Sequence, residues 1–476
     1  MFRSTQKVIL FLLFVPMPVV AQDAPVKRSL VTDEPRRHVG KPEGAPDYVA
    51  KTRPGDGQHL ALTIQKLTEG IDPPRPFLIW ALGSSYTNML GDGEAWKTEI
   101  PKRFPGAPPI TYQKMVGNSC PWQYVRGWAR HLVVPDQPDL VVIYTLGTAE
   151  DLEKLILELR TQTTADIIVP SIHWRTGGAK LWGTSENSTQ QDVQAVRDVC
   201  SQYDVEFVEN RKDWATYLRE NDLPIESLLK DAVHQSEFGA QIINSNIIAH
   251  VRQPNQFSYD PKSREYIVAT TRDDNGTITA TFTGNRIDLV GKKSPAGGRL
   301  SVRLDGKPAD AIDAFLMSYV QPSNDNARVG RGSNPRDQSP HAITLGSDIV
   351  PQNWTIVMTS DEGDYRLTGS VTGPDGEGNA FKPFTSDSGQ IRIEPELWRR
   401  AERNREGDHF QFDVYRSVLA EIDFRGDSTE RFVVRVAQAL TNESHKLELT
   451  PIGTEQTAVE YLKAYRPPVA EKASHR

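Results

Sequence analysis

The chain has 476 residues, 38% hydrophobic and 25% charged, a composition typical of globular proteins and unlike that of disordered or fibrous ones. Its formal net charge is −7 and no block of like charge stands out, which argues against a nucleic-acid-binding surface. Two cysteines cannot build a disulfide-rich scaffold, and no paired Cys or His motif indicates structural zinc. The length accommodates two or three domains.

The N-terminus has the three parts of a secretory signal peptide. Arg3 and Lys7 precede an apolar run over residues 8–20, and small residues end it at Ala21. A buried N-terminal helix is the alternative. The run is short for a membrane span, and no cysteine follows that could carry a lipid. We therefore predict a signal peptide over 1–21, a secreted or periplasmic protein, and no membrane span in the mature chain.

The next part of the chain predicts a linker and then an α/β domain. Residues 22–75 are rich in Pro, Gly and mixed charge and are interpreted as a leader or linker, with a short helix over 58–68. Over 76–252, apolar runs of strand length alternate with helical patterns. The predicted strands lie at 77–82, 110–115, 140–144, 167–169 and 205–208, and helices are predicted near 149–162, 188–203, 211–221 and 237–251. This pattern predicts a flavodoxin-like three-layer fold with a parallel sheet, whose ligands bind beyond the carboxyl ends of the strands.

The remainder, 255–470, predicts an all-β sandwich. Short segments of alternating polarity, such as 277–283 and 299–304, are separated by turn signals, for example Asp305-Gly306. The stretch 320–415 is longer and more irregular, and is interpreted as an insertion or a sub-domain.

Residues suited to nucleophilic catalysis follow the first and the fifth predicted strand. Gly83-Ser84-Ser85 ends the first strand, where a turn can expose a serine hydroxyl. A serine nucleophile needs a base and an orienting carboxylate, and Asp231 and His234 follow the fifth strand at a spacing that lets both face one neighbour. The alternatives are a helix-capping acid and a surface histidine. A second DxxH motif at 56–59 precedes the sheet and is interpreted as chance.

Two glycines end further strands on the same edge. Gly117 follows the second strand and Gly147 the third. A glycine lets a backbone N–H approach a substrate oxygen, as an oxyanion hole requires, although ordinary strand-to-helix turns also use glycine. The serine, the two glycines and the DxxH motif would therefore all lie at the carboxyl ends of the strands of one sheet.

This order of motifs resembles the SGNH (GDSL-like) hydrolase family over residues 76–250. The resemblance implies that Ser85 is the nucleophile and that its N–H donates to the oxyanion. Gly117 is similar to the glycine of the family's second block, while Asp231 and His234 correspond to orienter and base. Ser84 replaces the usual aspartate. The resemblance implies no metal and no cofactor.

The third block departs from the family pattern. The family usually has Gly-x-Asn-Asp, whose asparagine side chain donates to the oxyanion, whereas this chain has Ala149 at that place. Losing such a donor typically costs about 3 kcal/mol of transition-state stabilisation. Asn118, directly after Gly117, is the nearest substitute by sequence.

Further residues after the strands are predicted to contact substrate. His173, Trp174 and Arg175 follow the fourth strand and would line the pocket, and Trp96 and Trp122 are candidate sugar-stacking faces. Cys120 and Cys200 fall on opposite edges and ends of the predicted sheet, so we predict two unpaired thiols.

The sequence thus predicts a secreted serine esterase that removes acyl groups, acetyl above all, from a carbohydrate ester. The β-rich half resembles accessory modules of exported carbohydrate-active esterases. The alternative is an exported polysaccharide-binding protein with a catalytically impaired SGNH-like domain, which Ala149 favours. A third hypothesis is that residues at the same edge of the sheet catalyse another reaction on sugars.

Overall fold

The computed structural model describes residues 40–117, 119–176, 188–312, 315–320, 338–398 and 400–470. A five-stranded parallel sheet forms the first part of the molecule, in the order β2-β1-β3-β4-β5. This order confirms the predicted flavodoxin-like fold class. The strands are β1 Phe77–Gly83, β2 Ile110–Val116, β3 Leu140–Tyr144, β4 Asp166–Pro170 and β5 Glu206–Val208.

Helices cover both faces of this sheet. Against one face pack α1, α3, α8 and α9, and against the other α4, α6 and α7. A π-helical turn, Ala129–Val133, connects α4 to α5. The helices are α1 Ala61–Glu69, α2 Ser85–Asn88, α3 Glu94–Arg103, α4 Cys120–Val125, α5 Val134–Asp136, α6 Ala149–Gln162, α7 Ser188–Gln202, α8 Asn210–Glu220 and α9 Glu237–Ala249.

The continuous apolar strands follow from burial on both faces. In β1, Phe77 and Ile79 point into one core and Trp80 and Leu82 into the other, and all four are fully or almost fully buried. A strand enclosed in this way has no polar face, which is why β1 lacks the alternation of a half-exposed strand.

The chain joins this core before the predicted domain start at residue 76. Leu60, Ile64 and Leu67 are buried among the side chains that cover the sheet. The short helix predicted over 58–68 is therefore present as α1, and this part of the predicted leader belongs to the α/β core.

The rest of the described chain is almost entirely β-structure. Its strands are β6 Glu265–Val268, β7 Thr270–Arg272, β8 Ile278–Gly284, β9 Arg286–Lys293, β10 Arg299–Leu304, β11 Lys307–Pro308, β12 Phe315–Val320, β13 Thr344–Leu345, β14 Gln352–Met358, β15 Asp364–Gly369, β16 Gly373–Asn379, β17 Phe384–Thr385, β18 Ile391–Ile393, β19 His409–Arg416, β20 Glu421–Asp423, β21 Glu430–Ala437, β22 Glu443–Ile452 and β23 Ala458–Tyr465. Two sheets, β11-β10-β22-β8-β7 with β20 and β21-β9-β23-β6, enclose one hydrophobic core as a sandwich.

A third antiparallel sheet, β12-β19-β14-β15-β16, is inserted in sequence between the β11 and β20 strands of the sandwich. It packs on the π-helical turn of the α/β part. There His131 Nδ1 lies 3.2 Å from the Met317 carbonyl oxygen, and Ser318 Oγ donates to the His131 carbonyl at 3.1 Å. The irregular sequence region 320–415 thus contains a sheet of its own, which contacts the α/β part directly. We keep the predicted domain boundaries as a proposal.

Both cysteines lie on helices of the α/β part, Cys120 on α4 and Cys200 on α7. Cys120 and Cys200 are both buried and free, which confirms two unpaired thiols. The predicted signal peptide over 1–21 lies outside the described residues. Within the described part of the chain, no helix has the length and apolar character needed to cross a membrane.

A buried ionic cluster joins the sandwich to the amino-terminal end of the parallel sheet. Lys66 Nζ lies 2.9 Å from Asp139 Oδ1 and 2.7 Å from Glu265 Oε1. Arg75 makes a two-pronged ion pair with Asp139, at 2.6 and 2.7 Å. Burial alone would raise the pKa of Asp139, but Lys66 and Arg75 lower it to about 2, and Lys66 and Lys463 likewise hold the pKa of Glu265 far below its usual range.

Replacing the shared lysine tests this cluster. We expect Lys66→Met to lower the free energy of unfolding at pH 7 by about 3–5 kcal/mol, because two buried carboxylates lose their common cation. Both carboxyl groups have depressed pKa values when folded. Their contribution is therefore present above the unfolded pKa, near 4, and is lost as the pH falls toward about 2. The difference between variant and wild type should shrink over that interval.

Urea denaturation between pH 7 and pH 3 measures this effect. Lys154→Met is the matched control, because Lys154 pairs with Glu150 on the exposed surface of α6, and its free energy of unfolding should stay close to that of wild type. Equal losses for the two variants would contradict the prediction.

Candidate active site

The strand-to-helix turn after β1 places Ser85 at the carboxyl end of a central strand. Gly83 ends β1, Ser84 caps the short helix α2, and Ser85 is the first residue of that helix. The Ser84 hydroxyl accepts the N–H of Tyr86 at 3.3 Å, which holds the turn. The first residue of a helix has no intrahelical acceptor for its own N–H.

Gly83 is required because the turn is packed against β3. A Cβ at this position would lie 2.1 Å from Thr87 Oγ1 and 2.2 Å from the carbonyl oxygen of Tyr144. Thr87 Oγ1 itself donates to that Tyr144 carbonyl at 2.6 Å. The turn that carries Ser85 therefore packs directly against the β3 backbone, and no space remains for a side chain at position 83.

Asp231 and His234 lie on a tight turn between β5 and α9. The Asp231 Oδ1 atom accepts the backbone N–H of Val233 at 2.8 Å and of His234 at 2.7 Å. The Lys230 N–H donates to the His234 carbonyl at 3.0 Å, which closes the turn. The carboxylate thus shapes the loop that carries the histidine.

These segments bring together the three residues predicted as nucleophile, base and orienter. Ser85 Oγ lies 2.8 Å from His234 Nε2, and His234 Nδ1 lies 2.9 Å from Asp231 Oδ2. Burial tends to raise the pKa of Asp231, but the N–H groups of His234 and Val233 and the imidazole lower it to about 2. An ionised carboxylate only accepts, so Nδ1 carries the proton and Nε2 is free to accept the serine proton.

The structure supports fewer of the predicted oxyanion donors than of the predicted nucleophile, base and orienter. The Gly117 N–H already donates to the Gly83 carbonyl at 2.6 Å, so the prediction that it binds an oxyanion is wrong for this structure. Asn118 lies outside the described residues. Ala149 is the first residue of α6 and offers no side-chain donor. Of the three predicted donors, Ser85 N–H, Gly117 N–H and Asn118, the described part of the chain leaves Ser85 N–H.

Glycine at 117 and at 147 serves packing. A Cβ on Gly117 would lie 2.9 Å from the Cβ of Trp122. A Cβ on Gly147 would lie 3.0 Å from the Cβ of Cys120. Both contacts bring the loops after β2 and β3 close to α4, so the turn interpretation accounts for these two glycines.

The three predicted substrate contacts after β4 separate into two groups. His173 has no exposed surface, Trp174 is 5% exposed, and the Arg211 guanidinium stacks on the Trp174 ring at 3.6 Å. His173 and Trp174 are therefore inside the protein, and the prediction that they bind substrate is wrong. Arg175 is exposed, and its positive charge partly opposes the burial that raises the pKa of the Tyr86 hydroxyl, next to the serine.

The two predicted sugar-stacking tryptophans also differ. Trp96 is buried in the core under α3. Trp122 is partly exposed, and Arg126 lies over its ring at 3.2 Å. Arg400, from the inserted β-region, also approaches the Trp122 ring at 5.4 Å. The inserted sheet therefore contributes a residue beside the loop after β2, which the sequence analysis did not anticipate.

Two further residues of the site were missed although each is next to a predicted one. The Tyr86 ring makes an edge contact with the His234 ring at 5.7 Å. The Gln235 side chain donates to the Tyr86 carbonyl at 2.7 Å, which ties the serine turn to the histidine turn. Adjacency to Ser85 and His234 was the available signal.

One group of metal-ligand residue types lies close together in the described part of the chain, and it includes the second DxxH motif. His250 Nδ1 lies 2.5 Å from Glu206 Oε1, and His250 Nε2 lies 3.6 Å from Asp56 Oδ1. Glu206 also accepts the N–H groups of Gly57 and His59. These hydrogen bonds satisfy the Glu206 carboxylate. The cluster connects the N-terminal segment to β5, which lies three strand spacings of about 4.8 Å from β1.

Comparisons with known proteins give structural matches alone, since no family model and no curated protein sequence matches the chain. The acetylxylan esterase Axe2 from Geobacillus stearothermophilus is 16% identical, with a TM-score of 0.31, over 38% of this chain and 97% of that chain. A two-domain esterase active on acetylated mannans is 12% identical, with a TM-score of 0.33, over 88% of this chain and 96% of that chain. Its co-crystal with mannopentaose matches with a TM-score of 0.32.

Similarity at this level is too low to assign an activity. The strand order of the parallel sheet, with Ser85 after β1 and the Asp231–His234 turn before the last helix, agrees with the SGNH resemblance seen in the sequence. The chain therefore has an α/β part with a flavodoxin-like parallel sheet, followed by β-structure.

A methyl group at Gly83 tests the packing of the serine turn. We expect Gly83→Ala to destabilise the protein by about 1–3 kcal/mol, because the added carbon meets Thr87 and the β3 backbone. Gly55→Ala is the control, since its added carbon would lie 3.7 Å from Gln58 Oε1, an ordinary contact. Thermal denaturation measures both, and equal melting temperatures would contradict the close packing at Gly83.

Proposed function

We propose that the protein is a serine esterase that removes acyl groups, acetyl above all, from a carbohydrate. The observation that carries this proposal is the alignment of three side chains from distant parts of the chain. Ser85 Oγ is within hydrogen-bond distance of His234 Nε2, and Asp231 binds the other ring nitrogen. This is the arrangement that activates a serine hydroxyl at neutral pH.

In the first half of the proposed reaction, Ser85 Oγ attacks the ester carbonyl carbon while His234 Nε2 takes the hydroxyl proton. The imidazolium that forms is stabilised by the ionised Asp231 on Nδ1. The N–H of Ser85 donates to the oxyanion of the tetrahedral intermediate. His234 then gives its proton to the leaving sugar hydroxyl, and the acyl group remains on Ser85.

In the second half, water replaces the sugar hydroxyl. His234 takes a proton from the water as it attacks the acyl-enzyme carbonyl, and returns that proton to Ser85 Oγ as the acid leaves. Each proton transfer uses the same Nε2 atom, so the histidine must keep one orientation throughout. The hydrogen bonds from Asp231 to the backbone of its own turn supply that rigidity.

A carbohydrate substrate is the less direct part of the proposal. It rests on the family resemblance of residues 76–250, on the appended β-structure, and on the polar groups beside the serine. Arg175 is exposed next to Tyr86, and the partly exposed Trp122 lies between Arg126 and Arg400. The exposed Arg175 guanidinium can donate hydrogen bonds to a polyhydroxylated substrate, whereas Arg126 already covers one face of the Trp122 ring.

A second function is favoured by the weak oxyanion site. Gly117 N–H is engaged with Gly83, and Ala149 cannot donate. A protein with these features would bind an acylated polysaccharide and cleave it slowly or not at all. Glycan binding without acyl release, at wild-type Ser85, would decide for this alternative.

The first experiment is an acyl-release screen with Ser85→Ala as the test variant. Acetylated xylan and acetylated mannan are the first substrates, with p-nitrophenyl acetate as a generic ester. We expect Ser85→Ala to abolish hydrolysis, because it removes the hydroxyl that faces His234 Nε2. Ser428→Ala, an exposed serine between β20 and β21, is the control and should leave the rate unchanged. Retained hydrolysis in Ser85→Ala would refute the proposal.

The role of the acid is tested by Asp231→Asn. An amide keeps an oxygen for the backbone bonds of the turn but can present N–H to Nδ1, which favours the ring tautomer that cannot accept the serine proton. We expect kcat to fall by about 10³–10⁴-fold.

The chain offers a closely matched control for this variant. In the sandwich, Asp305 binds His445 Nδ1 at 2.8 Å and accepts the N–H of Lys446 at 2.8 Å. Asp305→Asn therefore replaces a carboxylate that has the same kinds of partner, an imidazole nitrogen and a backbone N–H, outside the site. It should leave kcat within two-fold of wild type. Similar rates for the two variants would show that Asp231 does not orient a catalytic histidine.

A further inference from the structure

His173 lies between the parallel sheet and the turn that carries His234. Its Nδ1 is 2.6 Å from the hydroxyl of Tyr144, the last residue of β3. Its Nε2 is 2.9 Å from the carbonyl oxygen of Val233, the residue directly before His234. The side chain is completely buried, against the rings of Tyr86 at 4.9 Å and Trp214 at 5.1 Å.

The hydrogen bonds define the state of this ring. Burial, opposed by the bond to Val233, lowers the pKa of His173 to about 3, so the imidazole is neutral at neutral pH. A carbonyl oxygen only accepts, so Nε2 carries the proton and donates to Val233. Nδ1 then accepts a hydrogen bond from the Tyr144 hydroxyl. The neutral His173 ring thus accepts a hydrogen bond from the end of β3 and donates one to the turn that carries His234.

The segment that holds His173 is itself firmly anchored. Ser171 accepts the N–H of Arg211 on its hydroxyl at 2.9 Å, and its carbonyl accepts from Asn210 at 3.0 Å. At the other end of the segment, the N–H of Thr176 donates to the carbonyl of Ala232 at 3.0 Å. The 231–234 turn is therefore held through two consecutive carbonyl groups, those of Ala232 and Val233.

We propose that His173 is a positioning residue for the proposed catalytic turn, acting through Val233 to keep His234 aligned with Ser85. This inference rests on the proposed function. It assigns His173 a role different from the substrate contact predicted from the sequence, because a ring with both nitrogens bonded inside the protein has none left for a ligand.

The positioning role of His173 follows from the hydrogen bonds that hold the 231–234 turn. Asp231 sets the internal shape of the turn, but its bonds are all to residues of that turn. His173 connects the turn to the rigid sheet. Without this connection the turn keeps its shape and its bonds through Ala232 and Gln235, but the backbone next to His234 loses its anchor on β3. A shift of about 1 Å at His234 Nε2 is enough to slow proton transfer about 100-fold.

The test compares three substitutions at one position. His173→Leu removes both bonds, His173→Asn keeps an amide that is too short to reach both partners, and His173→Gln has the length and the donor and acceptor to replace them. We expect kcat to fall about 10–100-fold in the first two with KM within two-fold of wild type, and Gln to restore at least half of the loss on a logarithmic scale.

The matched control is another buried histidine with both nitrogens bonded. His445 binds Asp305 with Nδ1 and the Thr441 carbonyl with Nε2 at 2.9 Å, within the sandwich. His445→Leu should lower the melting temperature while kcat stays within two-fold. If His173→Leu lowers the melting temperature and leaves kcat unchanged in the same way, the positioning role is overturned. If His173→Leu fails to fold, the Asn and Gln variants decide by the same criterion.

A double-mutant cycle with Asp231→Asn gives a readout that a purely structural role would not move. If His173 acts through the orientation of His234, its replacement should cost less than three-fold in kcat once Asp231→Asn has already disabled that residue. Full additivity overturns the inference. Ser85→Ala separates the two levels: activity retained there refutes the esterase proposal, whereas activity lost there but unchanged in the His173 variants refutes this inference alone.

Discussion

The proposed chemistry depends on one hydrogen bond, 2.8 Å long, between the Ser85 hydroxyl and the His234 imidazole. The two residues are 149 positions apart in the chain. They meet because Ser85 directly follows β1, and the turn between α8 and α9 returns His234 to the same carboxyl edge of the parallel sheet. The serine turn is packed on the β3 backbone through Gly83, and the histidine turn is connected to the last residue of β3 through His173. Strand β3 is thus the common support of both partners.

The two ends of the sheet are used differently. At the amino-terminal end, Lys66 pairs with Asp139 of the α/β part and with Glu265 of the sandwich, so this buried lysine attaches one part to the other. At the carboxyl end, polar groups stay partly exposed and are bonded to backbone amides, as in Asp231. The strongly buried charges therefore serve assembly, while the triad remains open to a substrate.

Acid–imidazole pairs recur in this chain, so the pair alone does not identify the site. Asp305 with His445 and Glu206 with His250 have similar distances to Asp231 with His234. What differs is the second ring nitrogen. In His445 it binds a backbone carbonyl, in His250 it faces another carboxylate, and in His234 it faces a serine hydroxyl. Only the last arrangement leaves a nitrogen that can take a proton from a nucleophile.

The amino-acid sequence predicted the fold class, the five strands of the parallel sheet, the change to β-structure near residue 255, and the convergence of Ser85, Asp231 and His234, whose catalytic roles stay a proposal. These depend on local apolar runs, on turn residues and on motifs whose members are near one another in the chain. The tertiary structure decided the rest. It decided that Gly117 N–H is used by Gly83, that His173 and Trp174 are inside the protein, that α1 belongs to the α/β core, and that Arg400 reaches Trp122. Burial and hydrogen-bond partners are properties of residues brought together from distant positions, and no local pattern encodes which of them meet.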